Sequence, residues 1–278
     1  MAIPWLQKTL LLCIICGIPP QKVSIASAEC LPADPKPFLL PLANCTIPPN
    51  QYYPNGIDSW GLQLNIASQY LCAVPSLVAN NTVIMGSSLC TNDNSSTLDQ
   101  CISRRGGVFH FDDATLPHTN LSTGVLAPDP VWESFNPPFS TAVNTTMVLP
   151  SGINLPSYPL AISSVGQNSN ANQLGLANQS VLLHSLMSAG FSGSNAFGLL
   201  AGSQSVQRPR NGHLVIGGYD AAMIAGPFRN FSMSNTTLAG NRVCSLQVVV
   251  EQLTLRRKGQ PDIDLLSEGN LMPSCVEP

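Results

Sequence analysis

The segment Leu174-Gly-Leu-Ala-Asn-Gln-Ser180 runs directly into Val181-Leu-Leu-His-Ser-Leu-Met-Ser-Ala-Gly190, and Phe197-Gly-Leu-Leu200 and Gly212-His-Leu-Val-Ile-Gly-Gly-Tyr-Asp220 follow. Ser180 is a good helix N-cap, because its hydroxyl can accept from an N–H of the first turn. Leu182, Leu183, Leu186 and Met187 then form an apolar stripe at helical spacing, and Gly190 is a C-terminal stop. The apolar runs on either side are short and bounded by Gly, Asn and Ser, which is how buried strands read.

The same pattern extends outward over most of the chain. Leu62-Gln-Leu-Asn-Ile66 alternates with period two, and Leu71 to Val74 does so less cleanly. Val83 to Met85, Met147 to Leu149, Tyr158 to Ile162, Leu214 to Ile216 and Leu246 to Leu255 are further short apolar runs. Many brief strands separated by turn residues predict an all-β fold. Leu31 to Pro54 is Pro-rich and is expected to be an extended, loop-like lead. Gln167 to Gln173 and Gly202 to Gly212 carry turn chemistry and are expected to be exposed loops.

Charged residues make up only 10% of the 278, and the formal net charge is −3. No basic stripe is present to attract nucleic acid, and Arg256-Arg257-Lys258 reads as a solvated turn. Surface polarity must therefore come from Ser, Thr, Asn and Gln, or from attached sugars. Residues 1–28 read as a secretory signal: Lys8, the apolar run Thr9 to Ile18, and Ala26-Ser27-Ala28 ahead of a cut before Glu29. The run is shorter than the roughly 20 residues that span a bilayer. The mature chain is thus expected to be secreted, extracellular, monomeric and without a membrane span. Eight Asn-x-Ser/Thr sequons, at Asn44, Asn80, Asn94, Asn120, Asn144, Asn178, Asn230 and Asn235, predict a glycoprotein. Each occupied sequon must sit at the surface.

Seven cysteines remain after the signal: Cys30, Cys45, Cys72, Cys90, Cys101, Cys244 and Cys275. In an oxidising compartment most should pair. Cys90 and Cys101 close a short polar loop and are the first expected pair. Cys30–Cys45 and Cys244–Cys275 are compatible further pairs that spacing alone does not fix; with them Cys72 would be left as a buried thiol. No Cys/His spacing fits a metal outside the signal, and His110, His118, His184 and His213 are scattered. No cofactor or metal is expected.

The order of motifs resembles that of the pepsin-like aspartic peptidase family. Trp60-Gly-Leu-Gln-Leu-Asn-Ile66 is similar to the strand before the family's first active-site loop. The family's Gly-Thr-Pro-x-Gln turn is reduced here to Ala67-Ser68-Gln69. Val83 to Gly86 resembles the following strand, Cys90 and Cys101 the small disulfide loop, and Arg105-Gly106-Gly107-Val108-Phe109 an Arg-Gly-Gly-Leu-Phe signature of secreted, diverged members. Asn144 to Leu149 resembles the strand returning from the flap, although no Tyr-Gly occurs between Asp129 and Val143. The block 174–220 resembles the end of the first lobe, and Cys244 to Val250 a second-lobe strand. The resemblance covers residues 55–278, with a first lobe over about 55–205 and a partial second lobe over about 206–278.

The resemblance implies a catalytic Asp-Thr/Ser-Gly in each lobe, and the chain has none. The first aspartate falls seven residues after Gln69, where Ser76-Leu77-Val78 stands, and Glu277 lies near the second. Aspartic peptidases need two close carboxylates that share one proton, one to activate water and one to protonate the scissile carbonyl. A hydroxyl at Ser76 cannot be that base. The expectation is a degenerate, non-catalytic binding protein, or one of the inhibitor type the resembled superfamily contains. Extended peptide, cell-wall polysaccharide or a secreted enzyme are its candidate partners. The competing expectation is an active endopeptidase whose aspartates lie elsewhere in the chain or beyond Pro278. Ser76 also has a plain structural reading, as a small turn residue after Pro75. Asp112, Asp113, Asp262 and Asp264 read as solvated loop acids, and Asp220 as part of a structural turn.

Overall fold

A computed structural model of the chain describes residues 35–91, 97–111, 118–121, 126–127, 141–163, 171–203, 209–223, 226, 247–250, 253–255, 259–266 and 272–275. The expected signal, residues 1–28, and Cys30, Asn94, Asn230, Asn235, Cys244 and Glu277 lie outside these residues. The described chain begins with β1 (Phe38–Ile47), β2 (Ile57–Ile66), β3 (Gln69–Ser76) and β4 (Val83–Met85). Helices α1 (Ser88–Thr91) and α2 (Leu98–Arg105) precede β5 (His118–Leu121), β6 (Thr141–Val148), β7 (Asn154–Ser163) and β8 (Asn172–Gly175). Helix α3 (Val181–Ser188), β9 (Phe197–Leu200) and β10 (Gly212–Ile216) follow. Beyond them β11 (Gln247–Val250) pairs antiparallel with β14 (Met272–Cys275), and β12 (Thr254–Leu255) with β13 (Ile263–Asp264). The expected all-β class is what the structure shows.

The main sheet runs β5-β6-β7-β4-β8-β3-β2-β1-β10-β9. Its shape turns on β2, which changes partner at Gly61. The first half of β2 pairs with β1 (Ile57 with Ile47, Gly61 with Ala43) and the second half with β3 (Leu62 with Ala73, Ile66 with Gln69). A Cβ on Gly61 would stand 2.6 Å from the Ala73 carbonyl oxygen, so only glycine admits this approach. Ala67 and Ser68 close the β2–β3 hairpin with φ of 48° and 67°, a two-residue turn with both residues left-handed. Leu40, Leu62, Leu64, Leu71, Tyr158 and Leu160 are fully buried in the core, together with Leu182 and Leu186 of α3. Each such side chain contributes about 1.5–3 kcal/mol by leaving water.

Four expectations need correction. The Pro-rich lead is not a loop over its whole length, because β1 forms within it. Leu40 and Leu42 are buried in one core cluster and Cys45 and Ile47 in another, the alternation changing phase at Ala43-Asn44. Pro41 is tolerated because a strand can place a residue lacking an N–H where no ladder bond is needed. Second, Asn172 is not in an exposed loop: it begins β8 and is fully buried. Third, the segment between Cys90 and Cys101 contains the start of α2, capped by Thr97 and Gln100 in a reciprocal capping box and stopped by Gly106 at φ 74°.

The fourth correction concerns pairing. Cys90 and Cys101 are bonded as expected, but Cys45 is bonded to Cys72 rather than to Cys30, and Cys72 is no free thiol. The bend at Gly61 brings β1 against β3, so Cys45 and Cys72 meet with a Cα separation of 5.9 Å. Cys244–Cys275 rests on side chains outside the described residues. Helix α3 has the expected cap and stop, with Ser180 Oγ accepting from the Leu183 N–H at 3.1 Å and Gly190 at φ 74°. Leu182, Leu183 and Leu186 are buried, but Met187 of the expected stripe is exposed.

Candidate functional site

Ser76 ends β3 in parallel register with Gly175 of β8. The chain after it, residues 76–82, is stitched to the chain after β8. The Leu176 N–H donates to the Ser76 carbonyl at 2.8 Å, the Ala177 N–H to the Ala79 carbonyl at 3.0 Å, and the Val181 N–H to the Asn80 carbonyl at 2.9 Å. A Cβ on Gly175 would stand 2.5 Å from the Asn81 carbonyl oxygen, so the crossing requires glycine there. The Ser180 hydroxyl donates to the Gly175 carbonyl at 2.6 Å and also caps α3. One serine thus ties the loop to the helix.

The Ser76 side chain is 6% exposed, and its hydroxyl oxygen accepts from the Ala79 N–H at 3.3 Å. No imidazole or carboxylate is hydrogen-bonded to it among the described residues, so nothing there raises its nucleophilicity. Leu77 occupies the next position and lines a cavity of about 150 Å³ with Leu176, Leu183, His184, Asn195 and Phe197. No carboxylate among the described residues lines that cavity. The arrangement is a small apolar recess beside a structurally satisfied serine.

The support behind this loop was not legible in the sequence. Asn172 Nδ2 donates to the carbonyls of Cys72, Gly106 and Gly107 at 3.2, 3.2 and 3.1 Å, and its Oδ1 accepts from the Met85 N–H at 2.8 Å. One buried amide therefore joins β3, β4 and the Arg105-Gly106-Gly107 turn. Asn81 holds Ala127 by a reciprocal pair of bonds, Nδ2 to the carbonyl at 2.7 Å and N–H to Oδ1 at 3.0 Å. Tyr158 is wholly buried and shares a 2.8 Å hydrogen bond with the Thr82 hydroxyl. Burial pushes its phenol well above the ordinary tyrosine value, against the smaller opposing pull of Thr82. Burial likewise pushes Tyr53 up to about 12, opposed by its bond to the Val108 carbonyl.

The sequons divide by position. Asn44 and Asn178 are exposed, and Asn178 stands at the lip of the recess beside Leu77. Asn144 is half-buried and donates to the Ser157 hydroxyl at 2.6 Å. Asn80 is 4% exposed, and its Oδ1 accepts from the Gln179 N–H at 3.1 Å. The expectation of a glycan on Asn80 is corrected on that ground: the folded loop has no room for it. Asn120 pairs with Val143 through the backbone of β5, and its side chain lies outside the described residues. His110, His184 and His213 are apart from one another, and no group of ligands able to hold a metal occurs among the described residues. No helix among them is long and apolar enough to cross a membrane.

No protein-family model matches the chain, and no curated protein matches it. Among solved structures the chain is similar to an aspartic proteinase from Irpex lacteus, at 13% sequence identity and a TM-score of 0.39, over 69% of this chain and 51% of that one. The chain spans about half the length of that structure.

Proposed function

We propose that this is a secreted glycoprotein built on a diverged aspartic-peptidase-like framework, which acts by binding and not by cutting. The observation that carries the reading is Ser76. By the family resemblance it stands where the first catalytic aspartate would be; it ends β3, it is buried, and its hydroxyl oxygen accepts a turn bond from the Ala79 N–H. Among the described residues no carboxylate or imidazole is hydrogen-bonded to its hydroxyl. Loss of one member of a catalytic unit costs orders of magnitude in rate, and Ser76 removes half of the acid pair. Two disulfides and the predicted signal support export. The exposed Asn44 and Asn178 support glycosylation.

Digestion of denatured haemoglobin in acid by the purified secreted chain tests the reading. Wild type, Ser76→Ala and Glu277→Gln are expected to be equally inactive. Cleavage by wild type that either variant abolishes would overturn it.

A further inference from the structure

At the other end of β3, about 20 Å of strand away from Ser76, the loop Pro48–Tyr53 and the β2–β3 hairpin enclose a groove of about 470 Å³. That size is typical of small-ligand sites. We propose that this groove binds a neutral oligosaccharide. The inference goes beyond the proposed function and does not depend on what Ser76 does.

Both walls are held rigid before any ligand arrives. Asn50 Oδ1 accepts from the N–H groups of Tyr52 and Tyr53 at 2.8 and 2.9 Å, fixing the loop. The Tyr53 hydroxyl is bonded to both the carbonyl and the N–H of Val108. The Tyr52 ring lies flat against His110, with centroids 3.9 Å apart and planes 9° from parallel. On the opposite wall Gln69 clamps the His110 backbone, donating to its carbonyl at 2.9 Å and accepting from its N–H at 3.0 Å. One segment, Val108 to His110, therefore sets the spacing of the two walls. Ordering costs are met in folding, which leaves more of the contact energy for a ligand.

The lining selects the ligand. Tyr70 is 47% exposed, so its ring face is open to a stacking partner. Among the described residues no Asp, Glu, Lys, Arg or His lines the groove, so a phosphate, a uronate or a basic peptide would find no counter-charge from them. The Gln51 amide, the Ser68 hydroxyl and the Tyr70 phenol line it without protein hydrogen bonds among the described residues. Each can donate and accept. Sugar hydroxyls have that same dual character, and the C–H face of a pyranose ring matches an exposed tyrosine. A proline-rich segment would also lie on the aromatic rings, but it presents carbonyl acceptors alone and leaves half of this polar capacity unused.

Calorimetric titration of the full secreted chain provides the test. The probes are a β-1,4-linked glucan hexamer, a xylan hexamer and a mannose-rich glycan, with an oligogalacturonate and an oligoproline as controls. Wall-type hexamers and the mannose-rich glycan distinguish a polysaccharide from a glycoprotein as the source. At least one neutral probe is expected to bind saturably, equally at low and high salt. Tyr70→Ala should weaken it at least tenfold and Gln51→Ala about threefold, with melting temperature and circular dichroism unchanged. The proposal is wrong if no neutral probe saturates, if only a control binds, or if binding survives both substitutions.

Discussion

Ser76 and Gly175 are register partners across the parallel β3–β8 pair, and the two make unequal demands on the fold. The Ser76 hydroxyl adds one 3.3 Å turn bond, whereas a side chain on Gly175 would collide with the Asn81 backbone at 2.5 Å. Ser76→Ala should therefore cost about 1 kcal/mol or less. Gly175→Ala should cost about 1–3 kcal/mol, because backbone rather than a flexible side chain must yield. Urea denaturation of the two variants checks the order, and an equal cost would show that the crossing is loose.

The Asn172 side chain joins β3, β4 and the Gly106-Gly107 turn. Asn172→Asp keeps the shape but points a carboxylate at the carbonyls of Cys72, Gly106 and Gly107. At neutral pH a cost of about 3–5 kcal/mol is expected, as for other uncompensated buried charges. Its carboxyl pKa must lie above the ordinary value, so the missing stability is present below that value and lost as pH rises. Melting temperatures of variant and wild type should converge in acid. Parallel curves at all pH values would contradict the hub.

Cys45–Cys72 closes a loop of 27 residues in sequence separation across the bend of β2. Replacing both with serine should cost about 2–5 kcal/mol. Non-reducing peptide mapping should recover Cys45 linked to Cys72 and Cys90 linked to Cys101. A Cys30–Cys45 peptide would refute the packing of β1 against β3.

Tyr53 and Tyr158 give the fold an alkaline limit. Both phenols are raised by burial above the ordinary value of 10.0, Tyr53 to about 12 and Tyr158 further. A folded pKa above the unfolded one means that their contribution is complete below pH 10.0 and is lost as pH rises through the folded values. Melting temperature should hold steady up to that point and fall beyond it. Tyr158→Phe should lose about 1 kcal/mol at neutral pH, from the Thr82 bond, and fall less steeply in alkali. A wild-type curve flat through the alkaline range would disprove the burial of both rings.

What the sequence disclosed, and what it hid, follows from the range of each interaction. Helix α3 was legible because its cap, stripe and stop are all local to Ser180–Gly190, and the short strands were legible by alternation. The β1 strand was hidden because it lies in a proline-rich segment, its own burial alternation changes phase at Ala43-Asn44, and one of its partners, β10, comes from distant sequence. Asn172 was hidden for a similar reason: it stands in a polar stretch, and its acceptors at Cys72 and Gly106 are far away in the chain. The capping box at Thr97 and the stop at Gly106 were readable signals of α2 that a disulfide-loop reading passed over. Asn80 shows the reverse error, a local motif that three-dimensional burial overrules.

The most direct test of the central claim is peptide hydrolysis in ¹⁸O-labelled water. The secreted chain, at a stoichiometric ratio to a diverse peptide library, is held at about pH 3–6, where a shared-proton carboxylate pair would work. The account predicts no new C-termini carrying the label, in wild type or in Ser76→Ala. Labelled termini that form with wild type and vanish with Ser76→Ala would contradict it.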